Sequence, residues 1–338
     1  MSKYNTDLDY VILDIDISRE ELREIKAETD KIISENKESN ENLAIAYLKK
    51  AQCLRKLNAT HNFGLISYDE TGSILISKKE NKNIKKLLEK ALELLPDMPE
   101  AIMQLGLINN PGWLSDKHDK AIIFFNKAIQ LKPDYAAAFN NRAMLFYGSE
   151  DICKFLSISD DQKDKERLEE AKKKVKINFN KAVADLTEAI KIRPFDAIYH
   201  LNRGIFHSKL GEHKEAAEDL SNTINYASDT VKNGLLKEGL LIFNLRGKEY
   251  TEINDYGKAI DDFSETLRLQ PSYNEKLHLE PNYDETLLLR GKAYYLSGEN
   301  DKAKADIKEY INRKRKDTDI KLRDKIIELI GFMPEDIL

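Results

Sequence analysis

The sequence predicts an all-α protein built from paired helices. The chain has 338 residues but only 14 Gly and 8 Pro, which leaves little room for the many tight turns of a β fold. Residues 199–220 form two amphipathic helical phrases separated by Gly211, because apolar and small side chains recur at helical spacing on both sides of that glycine. Similar phrases recur along the chain, so the helical hairpin is the predicted building unit.

The recurring phrase has four defining positions. An arginine directly precedes Gly204, Gly247 and Gly291, an aromatic ring follows each glycine after three residues, and an alanine follows after twelve. Weaker copies have Gly106 or Ala143 as the small residue, and a degenerate copy lies around residue 51. Small residues at these positions predict close contact between the two helices of a hairpin.

A proline follows most of the second helices at one fixed offset and stops them: Pro96, Pro133, Pro194 and Pro271. Together, these features resemble the tetratricopeptide repeat family over roughly residues 41–316. The resemblance implies a right-handed superhelical solenoid of about six helical hairpins, whose first helices line a concave groove. The predicted repeats span 44–96, 99–133, 136–194, 197–227, 240–273 and 284–316.

Several segments depart from a regular repeat. In the first repeat, two β-rich runs flank a turn at residues 69–72, which predicts a short β-hairpin within 61–79. In the third repeat, the second helix is extended from about Gln162 to Ile192 and is expected to protrude. Residues 1–40 form an amino-terminal segment with a capping helix that ends near Glu35, and residues 317–338 carry a carboxy-terminal capping helix.

Charge and composition argue against several classes of partner. The formal charge of -5 and the pI near 5.9 disfavour binding that depends on neutralising nucleic-acid phosphates. The sequence has no apolar run long enough to span a membrane, and its first residues are too acidic for a signal peptide. Cys53 and Cys153 lack neighbours at metal-binding spacing, which favours a reducing setting. We therefore expect a cytoplasmic protein with neither a nucleic-acid nor a membrane partner.

The histidines are the first candidates for catalysis or metal binding. His200, His207 and His213 align with aromatic positions of the next repeat, so they are predicted to pack there. Seven residues along a helix span about 10 Å, which separates His200 from His207 too far for one metal ion. The other histidines fall in predicted loops without supporting ligands: His61, His118 and His278. The sequence contains no HExxH, GxSxG or P-loop motif, so we expect no catalytic site, no metal site and no cofactor.

Alignment on the small residues predicts which first-helix side chains line the groove. Asn141 and Asn202 occupy equivalent positions, and Asn140 and Asn244 each lie one residue earlier in their repeats. A side-chain amide both donates and accepts, so such asparagines can bind the backbone of an extended peptide. Hydrogen bonds within the scaffold are the alternative role. The predicted peptide-binding residues are Asn140, Asn141, Met144, Leu201, Asn202, Ile205, Asn244, Lys248, Leu288, Lys292 and Tyr295.

The sequence therefore predicts a non-catalytic scaffold that binds a peptide or partner segment in the concave groove. Two alternatives stay open. One is a structural protein that self-associates, and the other is an enzyme or regulator that uses a site in the insertions. The sequence does not identify the partner, and fold alone does not establish one.

Overall fold

The computed structural model describes residues 19–58, 78–109, 119–147, 162–228, 242–269, 281–314 and residue 326. Within these ranges the chain forms thirteen helices and no strand, which confirms the all-α prediction for the described residues. The chain folds into two compact units. The amino-terminal unit comprises residues 1–206 and 227–234, and the carboxy-terminal unit comprises residues 207–226 and 235–338.

Helices of the amino-terminal unit pack mainly on their neighbours in sequence. Consecutive helices from α1 to α7 contact one another, as expected for a series of helical hairpins. Helix α8 begins in this unit, and its last residues belong to the carboxy-terminal unit. The helices are α1 (Arg19–Glu35), α2 (Asn40–Asn58), α3 (Lys78–Leu94), α4 (Pro99–Ile108), α5 (Asp119–Leu131), α6 (Ala136–Met144), α7 (Gln162–Ile192) and α8 (Ala197–Leu210).

The apolar core of this unit is divided into small local clusters. Leu48 of α2, Leu88 of α3 and Ala101 of α4 belong to one cluster, and Met103 of α4 and Phe125 of α5 belong to the next. Each cluster uses side chains from helices that are close in sequence. The core is therefore assembled hairpin by hairpin, as in other repeat proteins.

Helices of the carboxy-terminal unit also pack mainly on their neighbours in sequence. The consecutive pairs from α9 to α13 are in contact, and α10 also contacts α12. Ile326, described beyond residue 314, is helical and buried in one cluster with Leu287 and Tyr310. The helices are α9 (His213–Tyr226), α10 (Ile242–Glu252), α11 (Tyr256–Leu269), α12 (Pro281–Leu296) and α13 (Asn300–Lys314).

The small residues of the recurring phrase allow close helix contact, as predicted. A Cβ atom placed on Gly247 of α10 would lie 2.7 Å from Cε1 of Phe263 on α11, and one on Gly106 would lie 2.6 Å from Cε1 of Phe125. At Gly291 the corresponding distance to Cγ1 of Ile307 is 3.2 Å. Both aromatic rings are buried, so at Gly247 and Gly106 the ring occupies the space that a side chain would need.

The turns in the carboxy-terminal unit share one helix-ending motif. Gly211, Asn254 and Gly298 follow the first helices with positive φ angles of 77°, 62° and 86°. After each of them, the next residue donates its backbone N–H to the carbonyl five residues earlier, for example Glu212 to His207 at 2.9 Å. This is the Schellman arrangement, and glycine or asparagine is favoured there because other side chains rarely adopt a left-handed backbone.

Other sequence predictions have different outcomes. The extended helix in the third repeat is confirmed, because α7 has 31 residues. The predicted β-hairpin, with its turn at residues 69–72, lies outside the described residues. The predicted carboxy-terminal capping helix also lies outside them, apart from Ile326. The boundary between the two units falls within α8, and therefore within the predicted fourth repeat. The number of six repeats remains a prediction. Among the described helices, none has both the length and the apolar character needed to cross a membrane.

Replacing Gly247 with alanine tests the close contact between α10 and α11. We expect Gly247→Ala to lower the free energy of unfolding by about 1–3 kcal/mol, because the new methyl group overlaps the buried Phe263 ring. The control is Gly257→Ala on α11, where an added Cβ would meet nothing within 4 Å. That control should be neutral or slightly stabilising. Urea unfolding measures both changes, and equal stability of the two variants would contradict the contact.

Candidate functional site

The residues predicted to line the groove differ in their exposure. In each predicted hairpin the even-numbered helix is the first helix, and the predicted residues lie on α6, α8, α10 and α12. Tyr295 is 44% exposed, and three side chains are partly exposed: Ile205, Lys248 and Lys292. The others are buried: Asn140, Asn141, Met144, Leu201, Asn202, Asn244 and Leu288. Only the first group offers side-chain surface to a ligand in this conformation.

Asparagines of the amino-terminal unit connect successive first helices. Asn202 of α8 donates from Nδ2 to Oδ1 of Asn140 on α6, at 2.8 Å. Nδ2 of Asn141 on α6 lies 3.7 Å from Sδ of Met103 on α4. The Oδ1 atom of Asn202 is buried and has no hydrogen-bond partner within the described part of the chain. The side-chain amide of Asn202 therefore donates a hydrogen bond within the scaffold, while its oxygen accepts none from the described residues.

The carboxy-terminal unit contains a similar arrangement. Asn244 of α10 donates from Nδ2 to Oγ1 of Thr286 on α12, at 2.6 Å. Its Oδ1 atom is also buried and unpaired among the described residues. Lys248, one turn further along α10, forms a 2.8 Å ion pair with Glu285 of α12, and both side chains remain about one-third exposed or more. On α10 and α12, the buried amide of Asn244 therefore lies near the partly exposed ion pair between Lys248 and Glu285.

An arginine in the recurring phrase connects three helices, a role that sequence analysis missed. Arg246 of α10 donates from Nε and Nη2 to both carboxylate oxygens of Asp262 on α11, at 2.8 and 2.7 Å. Its Nη1 donates to Oγ of Ser221 on α9, at 3.0 Å. Arg290 of α12 makes the equivalent bonds to Asp306 on α13 and donates to Ser264 on α11. Each guanidinium therefore joins its own hairpin to the second helix of the preceding hairpin.

The same three-helix clamp occurs in the amino-terminal unit. Arg142 of α6 donates to both carboxylate oxygens of Asp185 on α7, at 2.8 and 2.6 Å, and to Oδ1 of Asn126 on α5, at 2.6 Å. Arg203 of α8 donates to Oγ1 of Thr187 on α7, at 3.2 Å. The signal in the sequence is an arginine directly before the small residue, with its aspartate sixteen residues later wherever no insertion intervenes.

Burial and ion pairing both act on the charges of the clamp. Burial raises the pKa of Asp262 above its ordinary value in spite of the hydrogen bonds from Arg246. Burial opposes the positive charge of Arg246, but the hydrogen bonds to the Asp262 carboxylate outweigh it and raise the pKa of Arg246 above its ordinary value. The Asp262 side chain is almost fully buried. Bidentate pairing suits this environment, because it satisfies the carboxylate while fixing the orientation of the guanidinium. Loss of either partner would leave a buried charge without compensation.

The histidines of the opening phrase take part in polar contacts. His200 is buried, with Nε2 2.9 Å from the carbonyl of Pro194. Nδ1 of His207 lies 2.6 Å from Glu212, and Nδ1 of His213 lies 2.7 Å from Glu249. The prediction that these rings fill aromatic packing positions did not anticipate the two carboxylate contacts.

The described histidines each contact a different partner. In the described ranges, no group of three or more His, Cys, Asp or Glu side chains is arranged to hold a metal ion. The histidines placed in predicted loops lie outside the described residues: His61, His118 and His278.

Comparisons with known proteins point to one repeat family. The family model described as a tetratricopeptide repeat matches residues 113–135. A TPR protein of Thermus thermophilus shares 18% identity, covers 62% of this chain and 92% of its own, and has a TM-score of 0.38. YrrB, a TPR protein with an unusual peptide-binding site, shares 13% identity over 72% of this chain and 92% of its own, with a TM-score of 0.46. PilF of Pseudomonas aeruginosa shares 13% identity over 86% of this chain and 99% of its own, with a TM-score of 0.49.

A comparison of single and double substitutions tests the arginine clamp. We expect Arg246→Met to destabilise the protein by about 3–5 kcal/mol, because Asp262 would become a buried charge without a partner. The double variant Arg246→Met, Asp262→Leu should recover part of this loss. Arg268→Met is the control, because its ion pair with Glu265 is exposed and should contribute less than about 1 kcal/mol. Equal effects of Arg246→Met and Arg268→Met in urea unfolding would contradict the proposed role of the clamp.

Proposed function

Because the chain is a tetratricopeptide repeat protein, we propose that it is a non-catalytic scaffold that binds a peptide or partner segment in a groove along its first helices. Proteins of this family generally mediate contacts between proteins. The specific role of this chain is inferred from its own first-helix residues. The proposal is made for each unit separately, since each contains first-helix faces of its own.

Two unpaired amide oxygens are the observation that carries this proposal. The Nδ2 atoms of Asn202 and Asn244 are held by Asn140 and Thr286, so the orientation of each amide is fixed. The Oδ1 atoms of both asparagines are buried without a hydrogen-bond partner among the described residues. A buried acceptor left unpaired costs about 1–3 kcal/mol. Because both oxygens are buried in this conformation, a bound segment would reach them only after neighbouring side chains move. A backbone N–H placed there would then remove this cost.

The ligand in this proposal is an extended peptide. Every non-proline residue of a peptide supplies a backbone N–H, so Asn202 and Asn244 would recognise main chain with little selection among side chains. Selection would come from the accessible residues of the same helices, namely Ile205 in the amino-terminal unit and Lys248, Lys292 and Tyr295 in the carboxy-terminal unit. These residues offer apolar, cationic and aromatic contacts. The Lys248–Glu285 pair can exchange its partners for charged groups of the ligand.

A purely structural role for the asparagines is the competing explanation. The bonds from Asn202 to Asn140 and from Asn244 to Thr286 would then serve only to align successive first helices. The two explanations differ in one measurable respect. A structural asparagine affects stability alone, whereas a binding asparagine also affects the affinity of a variant that remains folded.

We also propose a reducing, cytoplasmic location for this scaffold. Cys53 is buried, and Cys153 is the only other cysteine in the sequence, a hundred residues away. A chain of this length with so few cysteines is typical of reducing compartments. Labelling of the protein in intact and fractionated cells would test the location independently of ligand binding.

Peptides selected from a random library on the wild-type protein test the binding proposal. We expect Asn202→Leu or Asn244→Leu to weaken binding of a selected peptide about tenfold, because one charge-neutral hydrogen bond to the peptide backbone is lost. Fluorescence anisotropy measures the affinity, and circular dichroism verifies that each variant is folded. The control is Ile123→Ser, at an exposed residue on the second helix α5. Unchanged affinity in both folded asparagine variants would contradict main-chain recognition by these residues.

A further inference from the structure

Helix α7 is much longer than its partner α6, and its fully buried residues lie in only part of its length. At 1.5 Å per residue its 31 residues span about 46 Å. The buried residues of α7 lie in its second half: Phe179, Ala182, Asp185, Leu186 and Ala189. From residue 164 to residue 178, no described side chain is buried. The first half of α7 therefore has one partly buried side, which includes Leu168, Ala171 and Val175, and an exposed side.

The middle of α7 carries a local excess of positive charge. Residues 171–184 contain no aspartate or glutamate but include Lys172, Lys173, Lys174, Lys176 and Lys181. All five are exposed. Lys172 is paired with Glu169 at 2.8 Å, whereas the side chains of the other four make no ion pair or hydrogen bond in the described structure. This excess is opposite in sign to the net charge of the whole chain, -5.

Helical spacing places three of these lysines around an exposed isoleucine. Lys173, Ile177 and Lys181 are separated by four residues each, so they lie along one side of the helix. Lys174 lies beside them, within about a third of the helix circumference at 3.6 residues per turn. Ile177 is 56% exposed. We define Lys173, Lys174, Ile177 and Lys181 as the basic face of α7.

The basic face points away from the packed side of the helix. Phe179, Ala182 and Leu186 recur at intervals of three and four residues and form the buried stripe. Ile177 lies on the opposite side of the helix from this stripe, because two residues correspond to about 200° of rotation. The packing of α7 on α6 therefore leaves the basic face accessible.

We propose that the basic face of α7 is a second docking surface, which binds an acidic segment of a partner protein with an apolar residue between its carboxylates. Carboxylates of the partner would pair with Lys173, Lys174 and Lys181, and its apolar residue would cover Ile177. Charge complementarity selects the acidic partner and increases the rate of encounter. The net charge of the chain, -5, favours a protein segment over a nucleic acid, whose binding depends on neutralising many phosphates. The central isoleucine gives that segment an apolar contact. This surface is separate from the first-helix residues of the proposed groove and does not depend on them.

Fluorescence anisotropy with labelled synthetic peptides tests this proposal on the full chain. The probe is a 16-residue peptide of glutamate with leucine at every fourth position, and the comparison peptide has glutamine in place of glutamate. We expect the acidic peptide to bind the wild-type protein and the triple variant Lys173→Gln, Lys174→Gln, Lys181→Gln to bind it about tenfold more weakly. Glutamine has a helix propensity close to that of lysine, so α7 should remain folded, which circular dichroism verifies.

A matched triple variant controls for total charge. Lys127, Lys214 and Lys308 are exposed lysines on other helices that make no ion pair in the described structure, and changing them to glutamine alters the net charge equally. This control should leave the affinity for the acidic peptide unchanged. Equal weakening by the two triple variants would overturn the proposal, as would equal binding of the acidic and glutamine peptides or absence of binding by the wild-type protein.

The contribution of Ile177 separates a protein partner from a nucleic-acid partner. Ile177→Ser should weaken binding of the leucine-containing peptide about threefold and leave a peptide with serine in place of leucine unaffected. A single-stranded oligonucleotide of the same length is the third probe. If it binds the basic face more tightly than the acidic peptide and loses affinity in the α7 triple variant, the surface is a nucleic-acid site and the proposal is wrong.

Discussion

A buried arginine–aspartate pair, repeated along the chain, is the interaction on which three of the described hairpins depend. The guanidinium of Arg246 uses two donors on Asp262 of its own hairpin and a third on Ser221 of the preceding second helix. One side chain thereby fixes the pairing within a hairpin and its position against the previous one. Because the carboxylate is buried, any arrangement that separates the pair leaves a charge without compensation.

The clamp and the close helix contact are parts of one sequence phrase. Arg246 directly precedes Gly247, whose missing side chain leaves space for the Phe263 ring, and Phe263 directly follows Asp262. Close approach of the two helices therefore brings the ion pair into register, and the ion pair holds the helices at that separation. With packing provided by these positions, neighbouring first-helix residues such as Lys248 remain partly exposed.

Features determined by local sequence could be predicted, and features determined by distant residues could not. The all-α fold, the extended helix α7 and the turn at Gly211 follow from helical periodicity and from residues that break it. The clamp between Arg142 and Asp185 joins residues 43 positions apart, and periodicity carries no information about such a partner.

The candidate site could likewise be predicted only in part from local sequence. Alignment correctly placed Asn202 and Asn244 on first helices, but their burial depends on neighbouring helices that a single periodic phrase does not specify. The same limit applies to the contact between His213 and Glu249, because the equivalent position of the next repeat holds Tyr256. Position within a repeat could be predicted from sequence, whereas exposure and hydrogen-bond partners required the folded arrangement.

Photo-crosslinking tests most directly whether a ligand lies on the first helices. A photo-reactive phenylalanine analogue would replace either Tyr295 on the first helix α12 or Tyr226 on the second helix α9, which have similar exposures of 44% and 38%. If the first helices hold the ligand, a bound peptide is crosslinked from position 295 and not from position 226. Crosslinking from position 226 alone, or equally from both positions, would contradict a ligand site on the first-helix face.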